Sequence, residues 1–214
     1  MTVKDLFIQK GLQRMLIDRF LEQELRRAGY AGLDIMRTPL GTRITIYAER
    51  PGIVIGRRGM NIRALAQKLE KELGIENPQI DVVPVEKPEL NAKIMAQRIA
   101  RALERGVRFR RAAFIALRQI MEAGARGAEI IISGKLTSER SRYEKYTAGI
   151  LFKSGKPAEE CVDEAVAHAL LKPGVYGVKV KIVLPKPHPD DIGIKEISTT
   201  EEALSSSQIE GTKK

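Results

Sequence analysis

Two arginines held between two glycines, Gly56-Arg57-Arg58-Gly59, are well suited to chemistry with an anion. Glycine has no Cβ, so at Gly56 and Gly59 the main chain can come within contact distance of another backbone. A helical pattern begins near Asn61 and adds unpaired N–H groups and a partial positive charge, which suit a phosphate; Arg57 and Arg58 add full charges. A second cationic group is larger. Arg98, Arg101, Arg105, Arg108, Arg110, Arg111 and Arg118 crowd two helical patterns interrupted by Gly106, with Glu104 as the one acid among them. Seven guanidiniums to one carboxylate is not a balanced, solvated face. A guanidinium also forks onto phosphate better than an ammonium does. Pairing with acids elsewhere in the fold is expected for one or two of the seven. On the connector from Gly134 to Arg142, Lys135, Arg140 and Arg142 offer either a further phosphate contact or a wet loop.

Catalytic constellations are scarce. His168 and His188 are the two histidines, and neither has a nucleophile or metal partner nearby in sequence. Cys161 falls at a core spacing, where a thiol behaves as a small hydrophobe. Without C-x-x-C pairs or H-E-x-x-H no metal site is expected, and the G-x-G-x-x-G and G-x-x-x-x-G-K-[ST] loops of nucleotide cofactors are absent. Asp190-Asp191 and Glu201-Glu202 are adjacent carboxylates on a stretch without periodicity, not a fixed acid–base pocket. These residues point to a binding protein without cofactor rather than an enzyme.

The elements that must position the arginines follow from composition and period. The chain has 214 residues, room for one large domain or two small ones, and 37 Lys and Arg against 27 Asp and Glu, a net charge of +10. That excess favours a polyanionic partner. No long apolar run or signal-like N-terminus appears, which reads against a membrane, and a single cysteine fits a reducing, cytoplasmic setting. Aromatic residues make up only 5% of the chain and there is no Trp, so backbone and shape contacts should dominate over base stacking.

In chain order, residues 3–28 read as a helix with Gly11 as a candidate break and Leu12, Leu16, Phe20, Leu21 and Leu25 on its inner face. Residues 33–35 and 43–48 alternate around Thr38-Pro39-Leu40-Gly41-Thr42 and predict a β-hairpin. Ile62, Leu65, Leu69 and Leu73 then mark a helix closed by Gly74, and residues 79–83 a short strand. Residues 85–90, with Pro88, read as a hinge. A second unit follows, with helices over 91–105 and 108–123, strands over 129–133 and 147–152, a helix from Pro157 to Lys172 and a strand over 178–184. The expected class is α+β. Residues 1–85 form a unit of helices on a three-stranded sheet, and residues 91–184 a second small α/β unit of two helices on a mixed sheet. Residues 185–214 form a mobile tail.

The order helix, strand, strand, Gly-x-x-Gly between helical pieces, strand resembles a type II KH domain. The resemblance implies that Gly56 to Gly59 clamps a nucleic-acid backbone. Ile53, Ile55, Ile62 and Ile80 or Val82 become candidate walls of a groove for bases, with ordinary core packing as the alternative for at least half of them. Residues 50–59, Lys87-Pro88-Glu89-Leu90-Asn91-Ala92-Lys93, Phe109-Arg110-Arg111-Ala112 and Ser133-Gly134-Lys135-Leu136 together resemble the family of small-subunit ribosomal protein three, over roughly residues 1 to 184. A start directly at the first KH helix is similar to the archaeal and eukaryotic branch, since bacterial members carry an extra N-terminal segment.

The resemblance implies a structural protein of the small-subunit head. It would bind small-subunit ribosomal RNA (rRNA), adjoin neighbouring ribosomal proteins and line the channel where messenger RNA (mRNA) enters. Arg110 and Arg111 match the basic pair that faces incoming mRNA in bacterial members, and the third basic residue of that group falls at Phe114 here, with Arg118 one turn on. The family also implies that Arg57 and Arg58 face the channel while the second unit holds rRNA. Eukaryotic members are linked to cleavage of damaged DNA, which would need a lysine of lowered pKa that no sequence displays. The competing function is a free-standing KH-type regulator or RNA-processing factor that binds single-stranded RNA.

Overall fold

Two buried clusters organise the chain, one on each of two sheets, in a computed structural model that describes residues 3–38, 41–75 and 77–186. The first holds α1 (Val3–Glu24), β1 (Tyr30–Thr38), β2 (Gly41–Ala48), α2 (Pro51–Ile55), α3 (Met60–Leu73) and β3 (Pro78–Pro84), in sheet order β1-β2-β3. β1 and β2 pair antiparallel, with Leu33 opposite Ile46 and Ile35 opposite Ile44. β3 lies parallel to β2, with Ile80 beside Ile44. The parallel register follows from α2 and α3, which carry the chain back along the sheet and bury Val54, Leu65 and Leu69 against Ile44 and Ile46.

Helix α1 runs through Gly11 without a break and stops at Glu24. Burial begins only at Ile17, joined by Leu21 and Leu25; Leu12 and Leu16, expected on the inner face, are exposed. The apolar period is continuous along α1, but only its second half meets the sheet.

The second unit contains α4 (Ala92–Glu104), α5 (Phe109–Glu122), β4 (Gly127–Gly134), β5 (Arg142–Gly149), α6 (Lys156–Glu160), β6 (Val162–Leu171) and β7 (Gly174–Val183). Its sheet, ordered β5-β4-β7-β6, is antiparallel throughout rather than mixed. The helix expected from Pro157 to Lys172 is one short turn followed by β6. Alanine favours helix on its own, yet Ala165, Ala167 and Ala169 alternate inward here while Glu164, Val166, His168 and Leu170 face out. Pairing of β6 with β7 along its whole length overrides the local preference. His168 therefore sits on a strand. Cys161 is buried, at the end of α6.

β5 also begins earlier than its sequence suggests, because Arg142-Tyr143-Glu144-Lys145 is too polar to read as a strand, and it ends at Gly149 rather than Phe152. A Cβ at Gly149, which has φ +71°, would come 2.2 Å from the Arg126 carbonyl oxygen, so glycine lets the strand close on the start of β4. The tail beyond Lys186 lies outside the described residues.

Helix α4 joins the two units. Asn91 caps it by accepting from the Ile94 N–H at 3.1 Å, and Asp163 of β6 accepts from the Ala92 N–H at 2.8 Å, so a carboxylate meets its positive end. On its other side Lys93 Nζ lies 4.6 Å from the centre of the Tyr30 ring and 3.2 Å from Asp18 Oδ2. Tyr30 in turn donates to Asp18 Oδ1 at 2.5 Å. Burial first, and the Asp18 carboxylate second, hold the Tyr30 phenol far above its ordinary pKa.

Candidate nucleic-acid interface

The Gly-x-x-Gly turn stands between α2 and α3 as a single 3-10 turn over Arg57–Gly59. Its two glycines are needed for different reasons. Gly56 has φ +72°, and a Cβ there would lie 2.5 Å from Asn61 Cγ. The Asn61 side chain is held in that place by donating from Nδ2 to the Ile53 carbonyl at 3.0 Å, which laces α3 to α2. Gly59 has φ +74° but open space around its absent Cβ, with Ile62 Cγ2 at 3.8 Å as the nearest atom. It serves the left-handed conformation itself. Arg58 also adopts φ 53°, a conformation costing a side-chain-bearing residue roughly 1 kcal/mol. Both Arg57 and Arg58 are exposed, and neither side chain has a hydrogen-bond or ion-pair partner among the described residues.

Beside the turn, Ile53 and Ile55 are exposed while Val54 between them is buried. Of the remaining candidate walls, Ile62 is half-buried, and Ile80 and Val82 pack on the first core. The open apolar surface near the turn is therefore made by α2 rather than by β3.

The seven arginines of α4 and α5 separate into distinct groups once the fold brings distant acids to them. Arg98 donates to Glu49 Oε1 at 3.0 Å, to Glu89 Oε1 at 3.3 Å and to Gln119 Oε1 at 3.4 Å; it belongs to the junction between the units. Arg101 donates to the carbonyls of Gln97 and Arg27, both at 3.3 Å, and burial lowers its pKa from the usual guanidinium value. Arg110 grips Glu144 with two N–H groups, at 3.2 and 3.0 Å, which raises its pKa and lowers that of Glu144. Arg118 pairs with Glu122 one turn along at 2.8 Å. Three of the seven thus meet carboxylates: Arg98 and Arg110 reach acids elsewhere in the fold, within the one or two expected from the sequence, and Arg118 an acid on its own helix. Arg105, Arg108 and Arg111 are exposed and have no carboxylate partner among the described residues.

Lys135, Arg140 and Arg142 are exposed at the end of β4, in the connector and at the start of β5. The Lys135 carbonyl accepts from the Tyr176 hydroxyl, which anchors that end of the loop. Their side chains likewise lack carboxylate partners among the described residues.

Sequence reasoning missed Glu49, Glu89 and Glu144, which lie 49, 9 and 34 residues from the arginines they meet. It also missed the ring contact of Phe114 with Tyr146, whose centroids are 5.2 Å apart. Asn61 alone left a local signal, as a short amide just after a glycine turn. Among the described residues no helix is long and apolar enough to cross a membrane.

Two family models match the chain: KH domain over residues 16–90, and Ribosomal protein S3, C-terminal domain over residues 99–182. The chain is similar to small ribosomal subunit protein uS3 of Thermofilum pendens, 60% identical over 191 residues, or 89% of this chain and 95% of the relative. It is 51% identical over 208 residues to the protein of that name from Saccharolobus solfataricus, covering 97% and 91%. With that of Methanocaldococcus jannaschii it shares 54% identity over 191 residues, covering 89% and 92%.

Proposed function

The chain belongs to the family of small ribosomal subunit protein uS3, and from that premise we propose that it is a structural, non-enzymatic constituent of the small ribosomal subunit that binds rRNA. Similarity along almost the whole chain to relatives bearing that name carries the proposal. Two exposed guanidiniums without carboxylate partners, Arg105 and Arg108, support rRNA binding as the means of attachment.

The finer proposal is that the protein sits in the subunit head in the cytoplasm, beside other ribosomal proteins, and lines the channel through which mRNA enters. Residues 1–85 would act as a KH unit, residues 91–184 as the rRNA-holding unit and residues 185–214 as a tail. Arg57 and Arg58 would meet mRNA. They stand on a turn whose main chain can approach a phosphate closely, and they are not committed to acids of this chain. Arg105, Arg108, Lys135, Arg140 and Arg142 would hold rRNA. Arg98 and Arg101 would contribute by fixing the junction rather than by touching RNA.

Sedimentation through a high-salt sucrose gradient tests the assignment. The protein is expected to travel with small subunits. Recovery only in light fractions would instead favour a free-standing KH regulator.

A further inference from the structure

Phe114 is 58% exposed on a helix that buries Ala112, Ala113 and Ala116. Full burial of such a side chain stabilises a fold by about 2 kcal/mol, so its place on the open side of α5 forgoes a gain the core could have taken. The ring is nevertheless held. It meets Tyr146 edge-on, at 65° between planes. The Tyr146 hydroxyl donates to Glu144 Oε2, and the same carboxylate accepts from two N–H groups of Arg110. One acid thus orients a guanidinium and a phenol, and the phenol ring orients Phe114. Arg110 and Arg118 stand four residues to either side of Phe114, on one face of the helix. Arg110 uses one edge of its guanidinium on Glu144 and retains N–H groups on the other.

We propose that Phe114 is a base-stacking residue for single-stranded RNA, flanked by Arg110 and Arg118 as phosphate contacts. This deepens the proposed function and rests on it, since the strand would be mRNA in its channel. An exposed aromatic face accepts any unpaired base, and cations on either side neutralise the phosphates that flank it. A duplex keeps its base faces stacked inside and offers no such partner. An apolar protein surface would fill the ring's open face but would offer no acceptor to the N–H groups that Arg110 and Arg118 retain beyond Glu144 and Glu122.

Full-length protein binding to two oligoribonucleotides of equal length tests this, one an unstructured strand and the other carrying abasic sites at alternate positions with all phosphates kept. Wild-type protein is expected to prefer the base-bearing strand. In Phe114→Ala that preference should fall by about fivefold to a hundredfold, the worth of one stacked base, while the salt dependence stays unchanged. Phe114→Tyr should retain the preference and Phe114→Leu should lose it, because leucine keeps the apolar bulk without the π face. Equal wild-type affinity for both strands, or an undiminished preference in Phe114→Ala, would overturn the stacking assignment while leaving phosphate binding intact. Failure of the wild-type protein to bind either strand would overturn the channel reading on which it rests. Leucine behaving as phenylalanine would make Phe114 an apolar contact for a neighbouring protein instead.

Discussion

Arg98 Nη2 lies 3.0 Å from Glu49 Oε1, so a guanidinium on α4 closes on a carboxylate just past the end of β2 and ties the two sheets together. Glu49 is 13% exposed and Arg98 29%, and neither has been fully withdrawn from water. Removing one partner strands the other in a half-dry site. Arg98→Ala and Glu49→Ala should each destabilise the chain by about 2 kcal/mol in denaturant titrations, and the double variant by less than the sum. Arg118→Ala, whose guanidinium is 80% exposed, is the control and should leave the midpoint unchanged.

Room for Glu49 depends on Gly29. At φ +72°, a Cβ on residue 29 would lie 2.7 Å from Glu49 Cβ, while the Gly29 carbonyl accepts from the Glu49 N–H at 2.9 Å. Gly29→Ala is therefore expected to displace Glu49 and to lower stability by about 2 kcal/mol through strain and the lost pair. Combined with Arg98→Ala, it should cost less than the two separately.

The glycine turn offers a matched contrast. Gly56→Ala drives a methyl into Asn61 and should destabilise the chain by about 2 kcal/mol, as read by chemical denaturation. Gly59→Asn meets no neighbour and keeps a residue that tolerates the left-handed region, so it should lie close to wild type. Equal effects at the two positions would contradict the role given to Asn61.

Arginines with and without acid partners should also differ in salt dependence. Arg111→Gln is expected to weaken single-strand binding and to reduce the slope of log K against log salt by about 0.7, one phosphate's share. Glu144→Gln should instead strengthen binding, because it removes the negative charge that offsets Arg110. On the subunit, Arg57→Asp with Arg58→Asp should weaken mRNA engagement while leaving incorporation intact. Reversing Arg105 and Arg108 should impair incorporation first, as measured by sedimentation.

Acid lability follows from Glu164. Lys179 and Lys181 on β7 both contact its carboxylate and hold its pKa below the ordinary 4.5. A depressed carboxylate contributes stability that is present above its unfolded value and is lost as pH falls through the lower folded value. Glu164→Gln should therefore lose that contribution at neutral pH, change little at strongly acidic pH where the carboxylate is already protonated, and so flatten the profile across the fall below about pH 4.5.

By itself the sequence determined the helix and strand order of the first unit, the position of the glycine turn and the two arginine-rich helices. Each rests on a local period or on a residue type with one backbone use, such as Gly74 at the end of α3. Only the tertiary structure made residues 162–171 a strand, because an alanine-rich segment takes its conformation from the β7 ladder beside it. It alone likewise decided which cations have acid partners. A guanidinium carries the same charge at Arg98, Arg110 and Arg111, but Glu49 and Glu144 reach the first two through folds of the chain that no local spacing records. Charge was legible along the chain; its compensation required the fold.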